Sequence, residues 1–433
     1  MNFLESLFKL KQNRTTVKTE VLAGFTTFMT MAYIIFVNPD ILSKAGMPFD
    51  SLVVATCLSA AVGTFLMAFL ANYPIALAPG MGLNAFFAFT VVIGMKLDWR
   101  VALFAVFVEG IIFVVLTLTK LREAIVNTIP KTLKIGISCG IGLFIIFIGL
   151  QGVGLVVHSD ATLLTLGNLK NNVPALLALG GLILVVVLEY FRVTGALLIG
   201  IIIITAVSVI MGRTELPPAF ITTPPSLTPI FGQFDYTMLA SPEFWSIVFT
   251  FFFVDFFDTV GTLVGVCNRS GLLDREGRLP NARGALLADA LGTVAGAVLG
   301  TSTVTSYVES ASGIAQGGRT GLTSVVTGIL FLLAIFFSPL VGIVPASATA
   351  PVLVVVGVYM MAGLRDLNYE DWTELVPSML AFFMMPLGYG ISVGIEFGII
   401  SFVLLKFFTG KTKDVSLVMY GLAALFILKE AFL

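Results

Sequence analysis

Two acidic residues, Asp258 and Glu309, lie in stretches of sequence that are otherwise apolar, small or hydroxyl-bearing. A carboxylate at the centre of a bilayer costs about 2.5–3.5 kcal/mol on insertion scales, so such a residue is a functional-site hypothesis by default. Its carboxyl group can bind a proton and can accept hydrogen bonds from N–H groups of a small polar ligand. The alternative interpretation is a structural carboxylate held by hydrogen bonds within a helix bundle.

Asp258 has a second acid close to it in sequence. Asp255 precedes it by three residues, so a helix would place the two carboxyl groups on one face. Thr262 follows Asp258 by about one helical turn and adds a hydroxyl. We therefore predict that Asp258 carries a proton that is loaded and unloaded with a ligand. For Asp255, which has bulky apolar neighbours, a proton-binding role and a structural role are equally open.

Glu309 follows a run of hydroxyl residues. Ser302, Thr303 and Thr305 are good N-cap residues. They predict a half-helix that runs towards Glu309, with free amide donors and the positive end of its dipole directed at a cavity. The alternative is a structural, hydroxyl-rich helix that packs through small residues.

A second interrupted segment offers an aromatic face beside an amide. Asn84 and Phe87 lie within 78–89, a stretch that contains proline and glycine. Aromatic residues on an apolar helix are more often core than ligand platform. The interrupted backbone favours the ligand-binding interpretation at this position.

The composition indicates the environment of these residues. The chain has 433 residues, of which 58% are hydrophobic and 11% charged, against about 25% charged in a soluble domain. Its mean hydropathy is +1.03. Apolar runs of about 20 residues recur, which is the length of a helix that crosses about 30 Å of hydrocarbon. These features predict an all-α polytopic membrane protein and argue against a β-barrel, whose strands alternate.

Several classes of function are disfavoured. A net charge of −1 suggests no nucleic-acid partner. A single histidine, His158, and three cysteines without paired spacing do not form a metal site, so we expect no metal and no cofactor. An intramembrane enzyme would need such a metal or a nucleophile–base set. A receptor or structural membrane protein would not need paired interrupted helices.

Apolar runs between charged breaks predict about fourteen spans in two sets of seven. The sets occupy 21–212 and 243–410, and a proline-rich extracellular or periplasmic loop, 213–242, separates them. Residues 1–20 form a cytoplasmic segment and residues 411–433 a tail. The expected spans are 21–37, 51–71, 75–95, 100–119, 134–157, 173–190, 194–211, 243–266, 284–300, 303–317, 321–340, 346–363, 376–389 and 392–409.

Positive charge is concentrated on one side of this arrangement. The basic clusters fall before the first span or after even-numbered spans, as the positive-inside rule requires for a cytoplasmic N-terminus. The same parity leaves the apolar stretch 415–428 as either an interfacial helix or an additional span. The basic residues concerned are Lys9, Lys11, Arg14, Lys18, Lys120, Arg122, Lys131, Lys134, Arg192, Arg269, Arg275, Arg278, Arg283, Arg319, Arg365, Lys406, Lys411 and Lys413.

The two interrupted segments occupy matching positions. Because seven is an odd number, the two sets have opposite orientation, and each interruption falls in the third span of its set. Paired interruptions in inverted halves are the best sequence indication of a transporter's central binding site. We therefore predict a transporter that binds a small polar molecule near the middle of the membrane.

Four stretches of the chain resemble the AzgA-like purine permeases of the nucleobase–ascorbate transporter family. The resemblance covers nearly the whole chain and implies seven-plus-seven inverted repeats. In that fold, spans 1–4 and 8–11 form a substrate-binding core, spans 5–7 and 12–14 form a gate, and each interrupted segment contributes a short strand before a half-helix. The stretches are TVKTEVLAGFTTFMTMAYIIFVNP (Thr16–Pro39), APGMGLNAFFAF (Ala78–Phe89), FDTVGTLV (Phe257–Val264) and TSYVESASGIAQGGRTGLTS (Thr305–Ser324).

The resemblance also implies roles for particular residues. By motif position, Asp258 and Glu309 would hold a nucleobase. Thr262 would lie one turn beyond Asp258, and the aromatic stacking position falls most nearly on Phe87. The expected backbone contacts fall on Tyr307 and Val308.

The expected function is proton-coupled import of purine bases such as adenine, guanine or hypoxanthine across the cell's inner or plasma membrane. Asp258, Glu309 or Asp255 would take the proton, and a homodimer is expected from the family alone. One alternative is an anion transporter or exchanger of the sulfate-permease type, which two buried carboxylates disfavour. A uracil or xanthine permease is a further alternative. Those relatives often have glutamate where this chain has the shorter Asp258, which leaves room for a larger ring or a bridging water.

Overall fold

The computed structural model describes residues 3–119, 130–270 and 280–432, and most of them are helical. Within these ranges, nine segments are long and apolar enough to cross a membrane by length and composition. The prediction of a multi-pass helical membrane protein is confirmed, whereas the count of fourteen spans and the cytoplasmic N-terminus stay predictions. Four basic residues used for the orientation, Lys120, Arg122, Arg275 and Arg278, lie outside the described residues. Shorter apolar helices cover Met81–Gly94, Ala196–Ile210, Trp372–Leu387 and Leu417–Leu428.

The first half of the chain contains nine helices and three strands among its described residues. Helix α8 shows how the sequence sets a boundary: the Asn172 side chain accepts a hydrogen bond from the Ala175 amide at 3.1 Å, and a proline occupies the first turn. Helices α4 and α5 continue as π-helical turns, Met67–Ala71 and Phe86–Gly94. The elements are α1 (Phe3–Phe8), α2 (Val17–Met31), α3 (Ile34–Ser43), α4 (Phe49–Leu66), β1 (Leu77–Pro79), α5 (Met81–Ala85), α6 (Trp99–Thr119), α7 (Lys131–Gly152), β2 (Val156–Ser159), β3 (Leu163–Leu166), α8 (Val173–Tyr190) and α9 (Ala196–Ile210).

The second half also consists mainly of long helices and contains one strand among its described residues. Helix α11 begins where the Asn281 side chain accepts a hydrogen bond from the Gly284 amide at 3.3 Å. It ends at Gly300, whose φ of +92° favours glycine. The elements are α10 (Pro242–Ser270), α11 (Ala282–Leu299), β4 (Val304–Ser306), α12 (Ser310–Ala315), α13 (Gly321–Ala334), α14 (Ser338–Gly342), α15 (Ala346–Met360), α16 (Trp372–Leu387), α17 (Ile391–Phe408) and α18 (Leu417–Phe432).

The long helices pack in two groups. In the first group, α2, α4 and α6 contact α10, α11 and α13; in the second, α7, α8 and α9 contact α15, α16 and α17. Small residues allow close approach within the second group, where a Cβ added at Gly142 or at Gly357 would lie 2.5 Å from the carbonyl oxygen of the other. We call these groups the first bundle and the second bundle. They consist of the spans expected to form the core and the gate respectively, and those two functional roles stay predictions.

Helix α2 is attached to α13 through a buried carboxylate. Glu20 is fully buried, and it accepts hydrogen bonds from the amides of Arg319 at 2.9 Å and Thr323 at 3.2 Å. The Thr323 hydroxyl donates to the same carboxylate at 2.6 Å. A carboxylate at the N-terminus of a helix is stabilised by free amides and the helix dipole. Glu20 is therefore a structural acid that fixes one wall of the first bundle.

The apolar stretch 415–428, which the sequence leaves as an interfacial helix or an additional span, belongs to α18. Met419, Ala423 and Phe426 are buried on one face of this helix. The helix contacts α17, and the Phe426 ring centroid lies 6.1 Å from that of Phe249 on α10. The described exposed side chains of α18 are largely apolar as well. The helix is shorter than the candidate membrane-crossing segments, so both interpretations, an interfacial helix and an additional span, stay open.

Candidate functional site

The two interrupted segments form one structure. Strands β1 and β4 pair antiparallel, with Leu77 opposite Ser306. Beyond the strands, the Gly80 amide donates to the Thr303 carbonyl at 2.9 Å. A Cβ at Gly80 would lie 2.7 Å from the Thr305 methyl carbon, so glycine is needed for this close approach. The short strand before a half-helix, which the resemblance implies, is confirmed for both segments.

One detail of the sequence prediction is wrong. Ser302, Thr303 and Thr305 do not cap a half-helix, because the chain is extended through β4 and α12 begins only after Glu309. The backbone of this stretch bonds to β1, which comes from a segment more than 200 residues away in sequence. Pairing with that distant strand overrides the local capping preference.

Glu309 occupies the position between β4 and α12 and is partly exposed. The hydroxyl of Tyr33, a fully buried residue at the break between α2 and α3, donates to Glu309 Oε1 at 2.5 Å. The Glu309 carbonyl accepts from the Ser312 hydroxyl at 2.6 Å, and Ser312 in turn bonds to Thr30 at 2.9 Å. Helix α2 and its break therefore hold both the backbone and the side chain of Glu309 in place. Tyr33 was not identified from the sequence.

Asp258 lies on α10, partly exposed, with Thr262 partly exposed one turn further along. Its carboxyl group interacts electrostatically with those of Asp289 and Glu309. The phenol of Tyr307 interacts with Glu309 and Asp258 as well. The structure thus brings the two acids that the sequence singled out into one region. Their role in binding stays a prediction.

Tyr307 and Val308 follow directly after β4 and have different surroundings. The Tyr307 amide donates to the Ala76 carbonyl at 3.0 Å, and its hydroxyl donates to the Pro79 carbonyl at 2.5 Å. Its ring is buried, so the side chain holds the strand crossing together. Val308 is 46% exposed. The backbone contacts that the resemblance implies for Tyr307 and Val308 stay predictions.

A buried network of hydroxyls and carboxylates lies next to this region. Thr259 Oγ1 is 2.8 Å from Asp289 Oδ2, 3.4 Å from Asp255 Oδ1 and 3.0 Å from the Thr305 hydroxyl. The Ser306 hydroxyl donates to Asp289 Oδ1 at 3.3 Å. All five side chains are almost fully buried. A hydroxyl carries one proton, so Thr259 can donate to only one of the two aspartates at a time.

Asp289 is the acid that sequence reasoning missed. It lies on α11 within the expected span 284–300, and a charged residue inside an apolar span is the same signal that identified Asp258. Asp255 faces the same buried network through Thr259. Its two interpretations, proton binding and structural support, stay open.

Asn84 and Phe87 lie in the interior of the first bundle. Both are fully buried. The Asn84 side-chain oxygen Oδ1 accepts a hydrogen bond from the Ser302 hydroxyl. The Phe87 ring packs with its centroid 6.4 Å from that of Phe251. A stacking role for Phe87 and a binding role for Asn84 stay predictions, and both would require a neighbouring side chain to move.

A cleft of about 280 Å³ lies between the two bundles. It is lined by the π-helical turn after α5, the start of α10 and the connection between α16 and α17. Phe86 lines it, and its polar groups are hydroxyls such as those of Thr90, Ser246 and Thr250. Neither Asp258 nor Glu309 is among its lining residues. The cleft therefore separates the bundles at a position distinct from the two acids.

The arrangement of the helices is similar to that of two solved membrane proteins. The transmembrane domain of the cyanobacterial bicarbonate transporter BicA superposes with a TM-score of 0.67 at 16% identity, over 88% of this chain and 97% of that one. The murine anion transporter Slc26a9 superposes with a TM-score of 0.61 at 12% identity, over 89% of this chain and 68% of that one. At such low identity the likeness shows the fold alone.

Sequence comparison is more specific. A profile of the Permease family matches residues 18–397, and the chain belongs to this family. A putative permease of Methanocaldococcus jannaschii, MJ0326, is 50% identical over 100% of this chain and 99% of its own length. The Escherichia coli adenine permease AdeP is 43% identical over 99% of this chain and 96% of its own length. The Bacillus subtilis guanine/hypoxanthine permease PbuG is 45% identical over 99% of this chain and 100% of its own length.

The resemblance to the purine permeases is confirmed by these relatives, which are permeases and not enzymes. The anion-transporter alternative shares the fold with this chain. It is not favoured, because the relatives at 43–50% identity include adenine and guanine/hypoxanthine permeases.

Proposed function

We propose that the protein imports purine nucleobases, among adenine, guanine and hypoxanthine, by symport with protons. The observation that carries the proposal is the convergence of Asp258 and Glu309 at the end of the crossing strands, with Glu309 held by Tyr33. The names of close relatives support the choice of a purine over other small polar molecules.

The chemistry of a purine suits two neighbouring carboxyl groups. A purine ring presents N–H donors along its edges, and hydrogen bonds from such donors to a carboxylate are charge-assisted and correspondingly strong. Tyr33 occupies one oxygen of Glu309, which fixes the orientation of the carboxylate towards the ligand. A bound base would therefore be read by Glu309, with Asp258 and Thr262 on the neighbouring helix.

The same pair accounts for proton coupling. Two carboxylates in electrostatic contact repel each other, and a proton on one of them removes the repulsion. A base that donates hydrogen bonds to the other carboxylate adds to this stabilisation, so that the loaded state binds the base and the proton together. Asp289, which interacts with Asp258, allows the proton to be shared with the buried network.

Uptake of labelled purines by a Glu309→Gln variant tests this site. Glutamine keeps the size of the side chain and removes its charge. A hydrogen bond to a charged group contributes about 1.5–3 kcal/mol, so uptake at low substrate concentration should fall about 10- to 100-fold. Glu215→Gln, an exposed acid in the proline-rich loop, is the matched control and should be neutral. Wild-type uptake in the Glu309 variant would exclude this site.

A Tyr33→Phe variant sharpens the same test. It removes the hydroxyl that orients Glu309 and leaves both carboxylates in place. We expect a smaller loss than for Glu309→Gln, seen mainly as a higher KM. A loss equal to that of Glu309→Gln would mean that Tyr33 contacts the base directly.

Competition experiments separate the alternatives. Unlabelled adenine, guanine and hypoxanthine should reduce uptake of a labelled purine, whereas uracil, xanthine and sulfate should not. Strong competition by uracil or xanthine would support the alternative of a uracil or xanthine permease.

The same proposal places the protein in the inner or plasma membrane, with a cytoplasmic N-terminus, as a homodimer. Labelling of single cysteines from each side, and the mass of the purified protein, test these two points.

A further inference from the structure

The cleft between the two bundles has the size of a small-molecule site. Its volume of about 280 Å³ lies near the lower end of the range of about 300–1,000 Å³ for ligand pockets. The first bundle lines it with the π-helical turn after α5 and the start of α10, and the second bundle with the α16–α17 connection. The described residues that line it include no charged side chain. A cleft of this kind suits a small, neutral ligand.

Hydroxyl groups from all three elements meet at this cleft. Thr90, on the π-helical turn, is only 8% exposed, and its hydroxyl has no hydrogen-bond partner among the described residues. Ser246 on α10 and Ser392 in the first turn of α17 line the same cleft and are partly exposed. A buried hydroxyl without a partner is unfavourable, so a ligand that bonds to it is stabilised. Because a hydroxyl both donates and accepts, this set can bind groups of either kind.

Helix α17 adds backbone donors to these hydroxyls. It begins at Ile391, and its N-cap residue, Gly390, has no side chain that could bond to the amides of the first turn. Those amides have no acceptor within the helix. A Cβ added at Gly390 would lie 3.7 Å from Thr90 Oγ1, so the helix end and the unpaired hydroxyl are neighbours. An acceptor atom of a ligand is favoured at this positive end of the helix dipole.

Tyr389 provides a fixed aromatic side chain at the same place. Its hydroxyl donates to Gln151 Oε1 at 3.0 Å, and its ring centroid lies 5.7 Å from that of Phe144 and 6.3 Å from that of Phe89. Its φ of +51° lies in the left-handed region, which is uncommon for residues other than glycine and recurs at functional sites. Tyr389 is half-buried and lines the cleft, so part of its aromatic surface is available to a flat ligand.

Two phenylalanines separate the cleft from the acids. Phe86 lines the cleft, and its ring centroid lies 4.8 Å from that of Phe251. Thr250 lines the cleft as well, and Asp258 follows it on the same helix. The eight residues between these two positions correspond to about 12 Å along the helix axis. The cleft and the acids are therefore two separate places.

The cleft lies on the side of the membrane that the sequence predicts to be non-cytoplasmic. Helix α10 begins after the proline-rich loop, which is expected outside the cytoplasm. The π-helical turn belongs to the third expected span, and the α16–α17 connection follows the thirteenth. Basic residues are concentrated after even-numbered spans, which places the ends of the odd-numbered ones on the opposite side. A base that enters from outside would meet the cleft before the acids.

We propose that the cleft is a second binding site, which takes a neutral purine base from outside before the base reaches Asp258 and Glu309. This inference rests on the proposed purine transport. The hydroxyls of Thr90, Ser246 and Ser392 bond to ring nitrogens and exocyclic groups, and the first-turn amides of α17 donate to an acceptor on the ring. Because hydroxyls accept as well as donate, this outer site binds adenine and guanine with similar affinity.

Protection of a cysteine from a thiol reagent tests the outer site. Met95 lines the cleft and is partly exposed, so Met95→Cys places a thiol there without removing a proposed contact. The substitution is combined with Glu309→Gln, which removes the carboxylate of the candidate site. A membrane-impermeant maleimide is added to intact cells, with and without adenine or guanine, and wild-type cells report the reaction of the native cysteines. Both bases should slow the reaction of the Met95→Cys thiol in the Glu309→Gln protein.

A further substitution tests the unpaired hydroxyl. Thr90→Val keeps the shape of the side chain, and it should raise the base concentration that gives half protection about three- to tenfold, as expected for one lost neutral hydrogen bond. Thr205→Val is the matched control. Thr205 lies on α9, is also 8% exposed and has an unpaired hydroxyl among the described residues, but it does not line the cleft. Its substitution should leave protection unchanged.

The other outcomes count against the inference. Protection that disappears with Glu309→Gln would overturn it, because the thiol would then report a conformational change driven by the candidate site. Equal shifts from Thr90→Val and Thr205→Val would overturn the role of the hydroxyl. A Met95→Cys thiol that does not react from outside would contradict the outer position.

Uptake in the same cells separates this inference from the proposed function. Reaction of the Met95→Cys protein with a bulky maleimide should block purine uptake, because the reagent fills the cleft. Undiminished uptake after complete reaction would overturn a place for the cleft on the route of the base and leave purine transport intact. Wild-type cells that take up no purine through this protein would overturn the proposed function itself.

Discussion

Two regions of the molecule bury charge in opposite ways. At the end of the α16–α17 pair, Lys406 is only 1% exposed, and its ammonium lies 3.2 Å from Glu374 Oε1 and 3.4 Å from Asp414 Oδ2. Close by, Lys411 pairs with Asp371 at 2.9 Å. Opposite charges compensate one another within this cluster, which we call the lysine cluster. It joins the ends of two helices and the chain that follows them.

At the candidate site the compensation is missing. Among the described residues, no lysine or arginine lies within ion-pair distance of Asp258 or Glu309. Glu309 is held by a neutral donor, Tyr33, and the two acids interact with each other. The charges of the lysine cluster thus carry their own counter-charge, whereas the structural acid Glu20 is held by amides and a hydroxyl. On the proposed function, a proton and a hydrogen-bonding ligand compensate the charge at the candidate site.

The largest expected effect comes from the acid that joins the site to the buried network. Asp289→Asn keeps the size of the side chain but weakens two hydrogen bonds, those from Thr259 and Ser306. At about 1.5 kcal/mol for each bond to a charged group, purine uptake should fall by about two orders of magnitude. The protein should still elute as a single species on gel filtration.

A control on the same helix tests whether charge is the reason. Thr293 donates a hydrogen bond to the Val304 carbonyl at 3.0 Å, and Thr293→Val removes that neutral bond. It should reduce uptake far less than Asp289→Asn. Similar losses in both variants would show that the packing of α11 against β4, and not the carboxylate, is what matters.

Removal of the cation from the lysine cluster should affect stability more than transport. Lys406→Met leaves Glu374 and Asp371 without their shared partner. Breaking a buried pair costs about 3–5 kcal/mol, and partial exposure of these carboxylates reduces the expected loss to about 2–3 kcal/mol. Thermal unfolding in detergent measures it, and uptake per folded molecule should stay near the wild-type value. A transport defect without a stability loss would contradict the distinction between the two regions.

The smallest expected effect is a pH dependence of the lysine cluster. Hydrogen bonds from the Thr373 hydroxyl and the Lys411 ammonium hold the pKa of Asp371 well below its usual range. A carboxylate with a lowered pKa stabilises the fold above its unfolded pKa, near about 3.9, and loses this contribution as the pH falls through the folded-state pKa. The stability difference between wild type and Asp371→Asn should therefore be constant above about pH 5 and shrink below about pH 4. A difference that grows on acidification would contradict this assignment.

The sequence predicted the parts of the site that depend on local signals. Asp258 and Glu309 stand out because a charge in an apolar stretch is costly. The interrupted segments stand out because proline and glycine break apolar runs at matching positions in the two halves. These features define the membrane class and locate the candidate site approximately without knowledge of any contact.

Features that depend on contacts distant in sequence were not predicted from residue patterns. The residue type of Thr305 predicts a helix cap, but Thr305 lies in a strand because its backbone pairs with β1. In the sequence, Tyr33 resembles any aromatic residue of an apolar helix. Only the fold shows that its hydroxyl donates a hydrogen bond to Glu309. Only the fold shows that the Phe87 ring packs near Phe251, and its stacking role stays a prediction. The hydrophobic pattern is uniform in a membrane helix, so it does not reveal which face meets the site.

The most direct test of the central claim is to follow purine entry and internal pH together in proteoliposomes that contain the purified protein. If the neighbouring carboxyl groups bind the base and carry the proton, purine entry through the wild-type protein will acidify the interior, and Glu309→Gln will lose both signals together. Purine entry without acidification, or undiminished entry and acidification in the Glu309 variant, would contradict the account.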